Sequence, residues 1–155
     1  PGDLLALGMA LMDRANGMGD QYHAASCMRD GLMIAVLASV PVRIGNFSTI
    51  VIGRHLAFDG RTYRMEFSAE ETKMGIPVEA ELSTALRPSL DTYLRDHRRR
   101  LLARGTFEDS GHLWINRCGK RMDESAIRTQ IKKRTRAAFG KHVWPHLFRS
   151  IAATG

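Results

Sequence analysis

His146 and Arg149 stand three residues apart in the stretch WPHLFRSIAATG, Trp144 to Gly155, directly behind Pro145. Proline is tolerated in the first turn of a helix, and residues three apart on a helix share a face. Both side chains would then lie at the positive end of a helix dipole, where an anion such as a phosphate is favoured. A surface arginine beside a buried, hydrogen-bonded histidine would leave the same trace. Arg43 directly follows a long apolar run, in SVPVRIGNF. An arginine next to a core element has to be paired or face a site, because its unpaired burial is costly; a structural salt bridge would meet that need as well as a ligand. Lys73 lies in the polar turn AEETKMG, a position that by itself indicates only solvation. Metal chemistry is not expected. His142 and His146 are four apart, but Pro145 intervenes and the segment before it is not read as helical, so the rings would not share a face. Cys118 and His112 lack matching ligands.

The elements that must carry these residues follow from periodicity. Residues 3–16 read as a helix with Leu and Met on its inward side, broken by Gly17 and Gly19. A second helix is expected from Gln21 to Val40; it is apolar all round from Gly31 onward, which marks a buried central helix, and Pro41 ends it. A short helix follows from Arg43 to about Ile50. RHLAFDGRTYRMEFS then alternates around Asp59-Gly60, the signature of a two-residue hairpin, and IPVEAEL reads as a third strand. Helical period returns from Leu82 to about Leu102, with Leu82, Leu86, Leu90, Leu94 and Leu101 near one face and Tyr93 and His97 beside it. HLWIN is a short extended segment, and Asp123 or Ser125 caps a helix running to Phe139, stopped by Gly140.

The bulk composition is that of one globular domain. The chain has 155 residues, 44% hydrophobic and 25% charged. Twenty-three Lys and Arg against 16 Asp and Glu leave a net charge of +7, which favours a polyanionic partner. Two cysteines, Cys27 and Cys118, are too few for a disulfide framework and indicate a reducing, cytoplasmic setting. The apolar run Leu4–Met12 carries no basic flank and is too short to span a bilayer, so no membrane partner is expected. Pro1 in place of Met points to a fragment or a processed chain.

Taken in order, an arginine after a buried helix, a lysine in a hairpin turn and His-x-x-Arg at a late helix start form a pattern. From about Met28 to Gly155 the chain resembles the catalytic domain of the tyrosine recombinase, or phage integrase, family. VPVRIGNFSTIVIGRHL resembles its first arginine motif, TYRMEFSAEETKMGIPVEAEL its lysine-bearing hairpin, and WPHLFRSIAATG its second-arginine box. The resemblance implies an α+β, mainly α fold: a helical catalytic domain with a small three-stranded antiparallel sheet, as in DNA breaking–rejoining enzymes. It also implies cleavage and rejoining of double-stranded DNA through a 3′-phosphotyrosine, with no metal and no cofactor. Arg43 and Arg149 would clamp the phosphate oxygens, Lys73 would protonate the leaving 5′-oxygen, and His146 would hydrogen-bond the phosphate or help move the nucleophile's proton.

Two features depart from the family pattern. The acidic residue usual three positions after the first arginine is Asn46 here, an amide that would buttress Arg43 without charge. The nucleophilic tyrosine usual beyond the His-x-x-Arg box has no counterpart, because Tyr22, Tyr63 and Tyr93 all lie upstream; Tyr63 and Tyr93 read as packing residues. Residues 1–155 are therefore expected to be one partial catalytic domain, lacking both an N-terminal DNA-clamping domain and the C-terminal tyrosine segment, and inactive alone. The parent would act as a tetramer on DNA and this chain as a monomer. An integrase-like DNA-binding regulator without cleavage activity is the alternative. Backbone contacts to DNA are expected from Arg54 and His55 and from Arg128, Lys132, Lys133 and Arg136 in the basic run RTQIKKRTRAAFGK. Arg61 and Arg64 on the hairpin are further candidates, whereas DHRRRLLAR reads as a basic helix end.

Overall fold

Helix α2, Gln21–Ser39, forms the centre of the domain because it has no polar face to turn to water. Asp20 starts it by accepting hydrogen bonds from the Tyr22 and His23 N–H groups, at 2.9 and 3.0 Å. From Ala24 to Ala38 every residue but Ser26 is buried. The computed structural model from which this arrangement is taken describes residues 2–143; the box that carries His146 and Arg149 lies outside the described residues. Helix α1, Gly2–Asn16, packs along α2 at very close range. The closeness depends on two glycines: a Cβ on Gly8 would lie 2.8 Å from the Gly31 carbonyl oxygen, and one on Gly31 would lie 2.7 Å from that of Gly8.

The sheet is antiparallel, ordered β1 (Leu56–Phe58), β2 (Tyr63–Phe67), β3 (Val78–Glu81). Leu56, Tyr63, Met65 and Phe67 point into the core. The β1–β2 connection is a four-residue turn, 59–62, rather than the expected two-residue one. Asp59 decides this: its carboxylate accepts from the Arg61 and Thr62 N–H groups, both at 2.9 Å, and its own N–H donates to the Thr62 carbonyl. A side chain that satisfies the turn's own backbone makes the wider loop stable.

The helix expected over 82–102 is also more structured than its pattern. A 3₁₀ turn, Thr84–Leu86, leads into α4 (Arg87–Thr92), and a π-helical turn over Tyr93–His97 joins α4 to α5 (Arg98–Leu102). A π turn adds a residue and rotates the face that follows. Tyr93 and His97 thereby become buried beside Leu90 and Leu101, and Leu94 is left half-buried. Helix α6, Glu124–Phe139, is capped by the Asp123 carboxylate on the Ala126 N–H at 2.8 Å and ends at Gly140, whose φ is +75°. Among the described residues no helix is long and apolar enough to cross a membrane.

Candidate active site

Arg43 is mounted at the start of α3, Ile44–Ser48, immediately beyond the buried end of α2. Phe47, on α3, stacks on Trp114 with ring centroids 5.1 Å apart, and Trp114 in turn meets Tyr93 at 5.6 Å. This aromatic chain ties the short helix to the core, so Arg43 is held on a firm base although α3 is barely more than one turn. Its guanidinium is half-buried and makes no ion pair among the described residues.

Lys73 projects from the β2–β3 connection, which opens with a 3₁₀ turn, Ala69–Glu71. Glu71 holds that connection in place. Its carboxylate accepts from the Ser68 N–H and the Ser68 hydroxyl, both at 3.0 Å, meets His55 Nε2 at 2.5 Å and pairs with Arg54 at 3.1 Å. The His55 hydrogen bond, then that of the Ser68 N–H, lower its carboxyl from 4.5 to about 2. The Glu71 carbonyl oxygen accepts from Asn46 Nδ2 at 2.8 Å. Asn46 therefore does not buttress Arg43, as its sequence position implied; its amide joins α3 to the turn that carries Lys73. The two cations are mounted on separate elements that this one hydrogen bond links.

His55, expected to contact DNA, is buried at the edge of this site. Its side chain is 4% exposed. Nδ1 accepts from the Val51 N–H at 2.9 Å, so the proton sits on Nε2 and is donated to Glu71, while the ring stacks on Phe67 at 4.6 Å. His55 braces the turn from the wall of the cleft that Arg43 and Lys73 line. Arg54 beside it is exposed.

Arg43, Lys73, Arg54 and Glu71 line one cleft of about 830 Å³, together with His112 and Glu124. Sequence reasoning left His112 unassigned, because a lone histidine in an extended segment carries no signal. It enters the cleft through pairing between chain-distant segments: Val51 bridges His112, and the Leu113 N–H donates to the Ile50 carbonyl at 2.9 Å. Arg98 clamps the His112 carbonyl at 2.6 and 3.0 Å and pairs with Asp109 at 2.7 Å. Burial, then the Arg121 and Arg98 charges, hold the His112 imidazole below its ordinary 6.5, so it is neutral at neutral pH. Glu71 is neutralised by Arg54, and Glu124 by Arg128 at 2.9 Å. Among the described residues, Arg43 and Lys73 are thus the cations of this cleft without a carboxylate partner, which suits it to a phosphate.

The basic run on α6 divides by orientation. Ile127, Ile131 and Thr135 face inward, and Arg134 turns toward the core to pair with buried Asp30 at 2.8 Å. Lys133 and Arg136 are exposed; Arg128 and Lys132 are half-buried. None of Tyr22, Tyr63 and Tyr93 lines the Arg43–Lys73 cleft. Among the described residues no three His, Cys, Asp or Glu side chains are grouped to hold a metal ion.

The described residues thus form a mainly helical domain with a three-stranded antiparallel sheet, with an arginine and a hairpin lysine lining one open cleft. The sequence profile of the phage integrase family matches residues 10–155, and the chain belongs to that family. The matched span includes Arg43, Lys73, His146 and Arg149. A comparison with curated proteins found no match. Among solved structures, the chain is similar to XerA recombinase, with 21% identity and a TM-score of 0.65 over 96% of this chain and 47% of that one. It is similar also to XerH site-specific recombinase bound to difH substrate in a pre-cleavage complex, with 15% identity and a TM-score of 0.65 over 97% of this chain and 40% of that one. The post-cleavage complex of XerH on palindromic difH substrate matches at 15% identity and TM-score 0.65, over 98% and 40%. The chain thus spans less than half the length of these proteins, and at these identities the likeness establishes the fold.

Proposed function

We propose that the chain is the catalytic domain of a tyrosine-type site-specific DNA recombinase. The reading rests on one observation above the rest: in a domain of this family, Arg43 and Lys73 line the same cleft, and among the described residues no carboxylate is paired with either. In the reaction, a tyrosine hydroxyl attacks the scissile phosphorus of duplex DNA. The tyrosine O–P bond forms, the P–O5′ bond breaks, and the 5′-oxygen leaves as a hydroxyl. Arg43, with Arg149 from the box outside the described residues, neutralises charge on the non-bridging oxygens. Lys73 gives its proton to the departing 5′-oxygen, and His146 takes part in moving the nucleophile's proton or binds the phosphate.

The nucleophile is none of the three tyrosines in this chain. Tyr63 donates its hydroxyl hydrogen bond to Asp91, and burial, then that bond, push its pKa up to about 12. Tyr93 is fully buried and donates to the Leu113 carbonyl at 2.7 Å. Tyr22 lies at the far end of α2 from Arg43. On this reading the nucleophilic tyrosine lies outside residues 1–155.

A parent protein carried to its natural C-terminus, given a suicide duplex of its element's attachment site, should form a covalent protein–DNA adduct on a denaturing gel. Lys73→Ala and Arg149→Ala should weaken or abolish it. Salt-sensitive DNA binding without any adduct would instead identify a DNA-binding regulator.

A further inference from the structure

A second cleft, of about 400 Å³, opens on the other flank of α6, where the start of α2, the end of α5 and the turn at 116–120 meet. Its back wall is a buried ion network. Asp30 accepts from Arg29 at 2.9 Å and from Arg134 at 2.8 Å, while Arg29 also donates to the Ile115 carbonyl at 2.9 Å. These bonds join α2, α6 and the 113–116 segment. The rim is fixed as firmly. A Cβ on Gly105 would lie 2.4 Å from the Cys118 carbonyl oxygen, and one on Gly119 would lie 2.6 Å from the Gly105 nitrogen, so the turns carrying Arg104 and Arg117 are locked against each other.

Onto this rigid seat project Arg104, Arg117 and Lys133, all exposed. None of the three makes an ion pair among the described residues. Arg104 is steadied over the Tyr22 ring at 4.3 Å. The backbone hydrogen bonds from His23 and Tyr22, helped by the Arg104 charge, hold the Asp20 carboxyl below its ordinary value without an Arg104–Asp20 ion pair. The neighbouring acids are already committed. Asp30 serves the back wall, and Asp20 caps α2 and meets His23. Five cations against these two carboxylates leave a formal charge of +3 around one concavity. By contrast, exposed arginines elsewhere, such as Arg61 and Arg95, have carboxylate partners.

We propose that this second cleft binds phosphate groups, and that its ligand is the backbone of the same DNA duplex whose scissile phosphate the Arg43–Lys73 cleft holds. The proposal rests on the recombinase reading. The distances allow it: Glu124 at the first cleft and Lys133 at the second are nine residues apart on α6, roughly 14 Å along its axis. That separation lies well within one helical turn of duplex, about 34 Å. Arginine forks on immobile turns meet phosphate oxygens two at a time. The helix-end role that the sequence alone assigns to Arg104 is therefore incomplete.

The test is the salt dependence of duplex binding by the full chain, compared with Arg104→Ala/Arg117→Ala and, separately, with Lys133→Glu. Each phosphate contact contributes about 0.9 to the slope of log K against log salt. The double variant should lose about 1 to 2 from the slope and bind roughly tenfold or more weakly near physiological salt, with an unchanged melting temperature because both side chains are exposed. Lys133→Glu should weaken binding in the same direction. Titration with inorganic pyrophosphate separates a free-phosphate site from a backbone site: protection of the cleft by pyrophosphate together with an unchanged DNA slope would overturn the proposal. So would an unchanged slope with altered self-association, which would reassign the cleft to an acidic protein segment. If the double variant keeps the wild-type slope while Arg43→Ala reduces binding, this inference fails and the recombinase reading stands. If the wild-type chain does not bind duplex at all, both fall together.

Discussion

Glu71 shows how one side chain can organise a site without touching its ligand. It braces the Lys73 turn through Ser68, His55 and Arg54, while its carbonyl takes the Asn46 amide from α3. Its carboxyl in the fold sits near 2, below the ordinary 4.5. A lowered acid contributes stability that is present above the unfolded value and is lost as pH falls toward the folded one. The melting temperature of the wild-type chain minus that of Glu71→Gln should therefore be positive at pH 7 and shrink between about pH 4.5 and 2; a difference that stays constant across this window would refute the role. In the parent enzyme Glu71→Gln should slow cleavage while leaving duplex affinity nearly intact, because the turn loosens but Lys73 keeps its charge. Arg43→Ala acts more directly. Loss of one preorganised donor to a phosphate oxygen should cost on the order of 10²–10³ in the single-turnover rate of adduct formation.

At the level of elements, two contacts decide how the scaffold presents both clefts. Helices α1 and α2 approach as closely as their glycines permit. Gly8→Ala forces a methyl group against the backbone of the partner helix, and overpacking of this kind costs about 1–3 kcal/mol. A shift of that size in the urea midpoint, at unchanged slope, is the expected outcome. The second contact is the Arg29–Asp30–Arg134 network, in which Arg29 and Asp30 are each 1% exposed. Asp30→Ala leaves Arg29 buried without its partner, a change worth about 3–5 kcal/mol in unfolding free energy. Because the network also seats α6 on α2, that variant should loosen the second cleft. Chemical denaturation reads the first effect and duplex binding the second.

On the scale of the whole molecule, the net charge of +7 is distributed with purpose. Among the described residues, cations without an ion pair line both clefts (Arg43 and Lys73 at the first; Arg104, Arg117 and Lys133 at the second), and others, such as Arg14, Arg99 and Arg121, stand elsewhere on the surface. Binding to duplex should fall steeply with salt, as expected when phosphate neutralisation supplies the affinity. In the absence of DNA the chain should scatter light as a monomer; a stable tetramer at micromolar concentration would contradict this expectation.

Local chemistry was sufficient for much of this architecture. The buried helix ended by Pro41, the three strands, and the Asp123 cap with its Gly140 stop are each written in residues close together in the chain. Short-range hydrogen bonding, steric limits and hydrophobic period specify such features within a short stretch of chain. The ordered arginine, lysine and His-x-x-Arg motifs likewise identified the family, since order along a chain is a one-dimensional property. The π turn that buries Tyr93 and His97 depended on packing against α2 instead. The burial of His55, the Asn46 bond to Glu71, the entry of His112 into the first cleft and the gathering of Arg104, Arg117 and Lys133 at the second arise between segments far apart in sequence. Which charges are spent on a partner, and which are left for a ligand, is set by three-dimensional proximity alone. Only the tertiary structure could decide it.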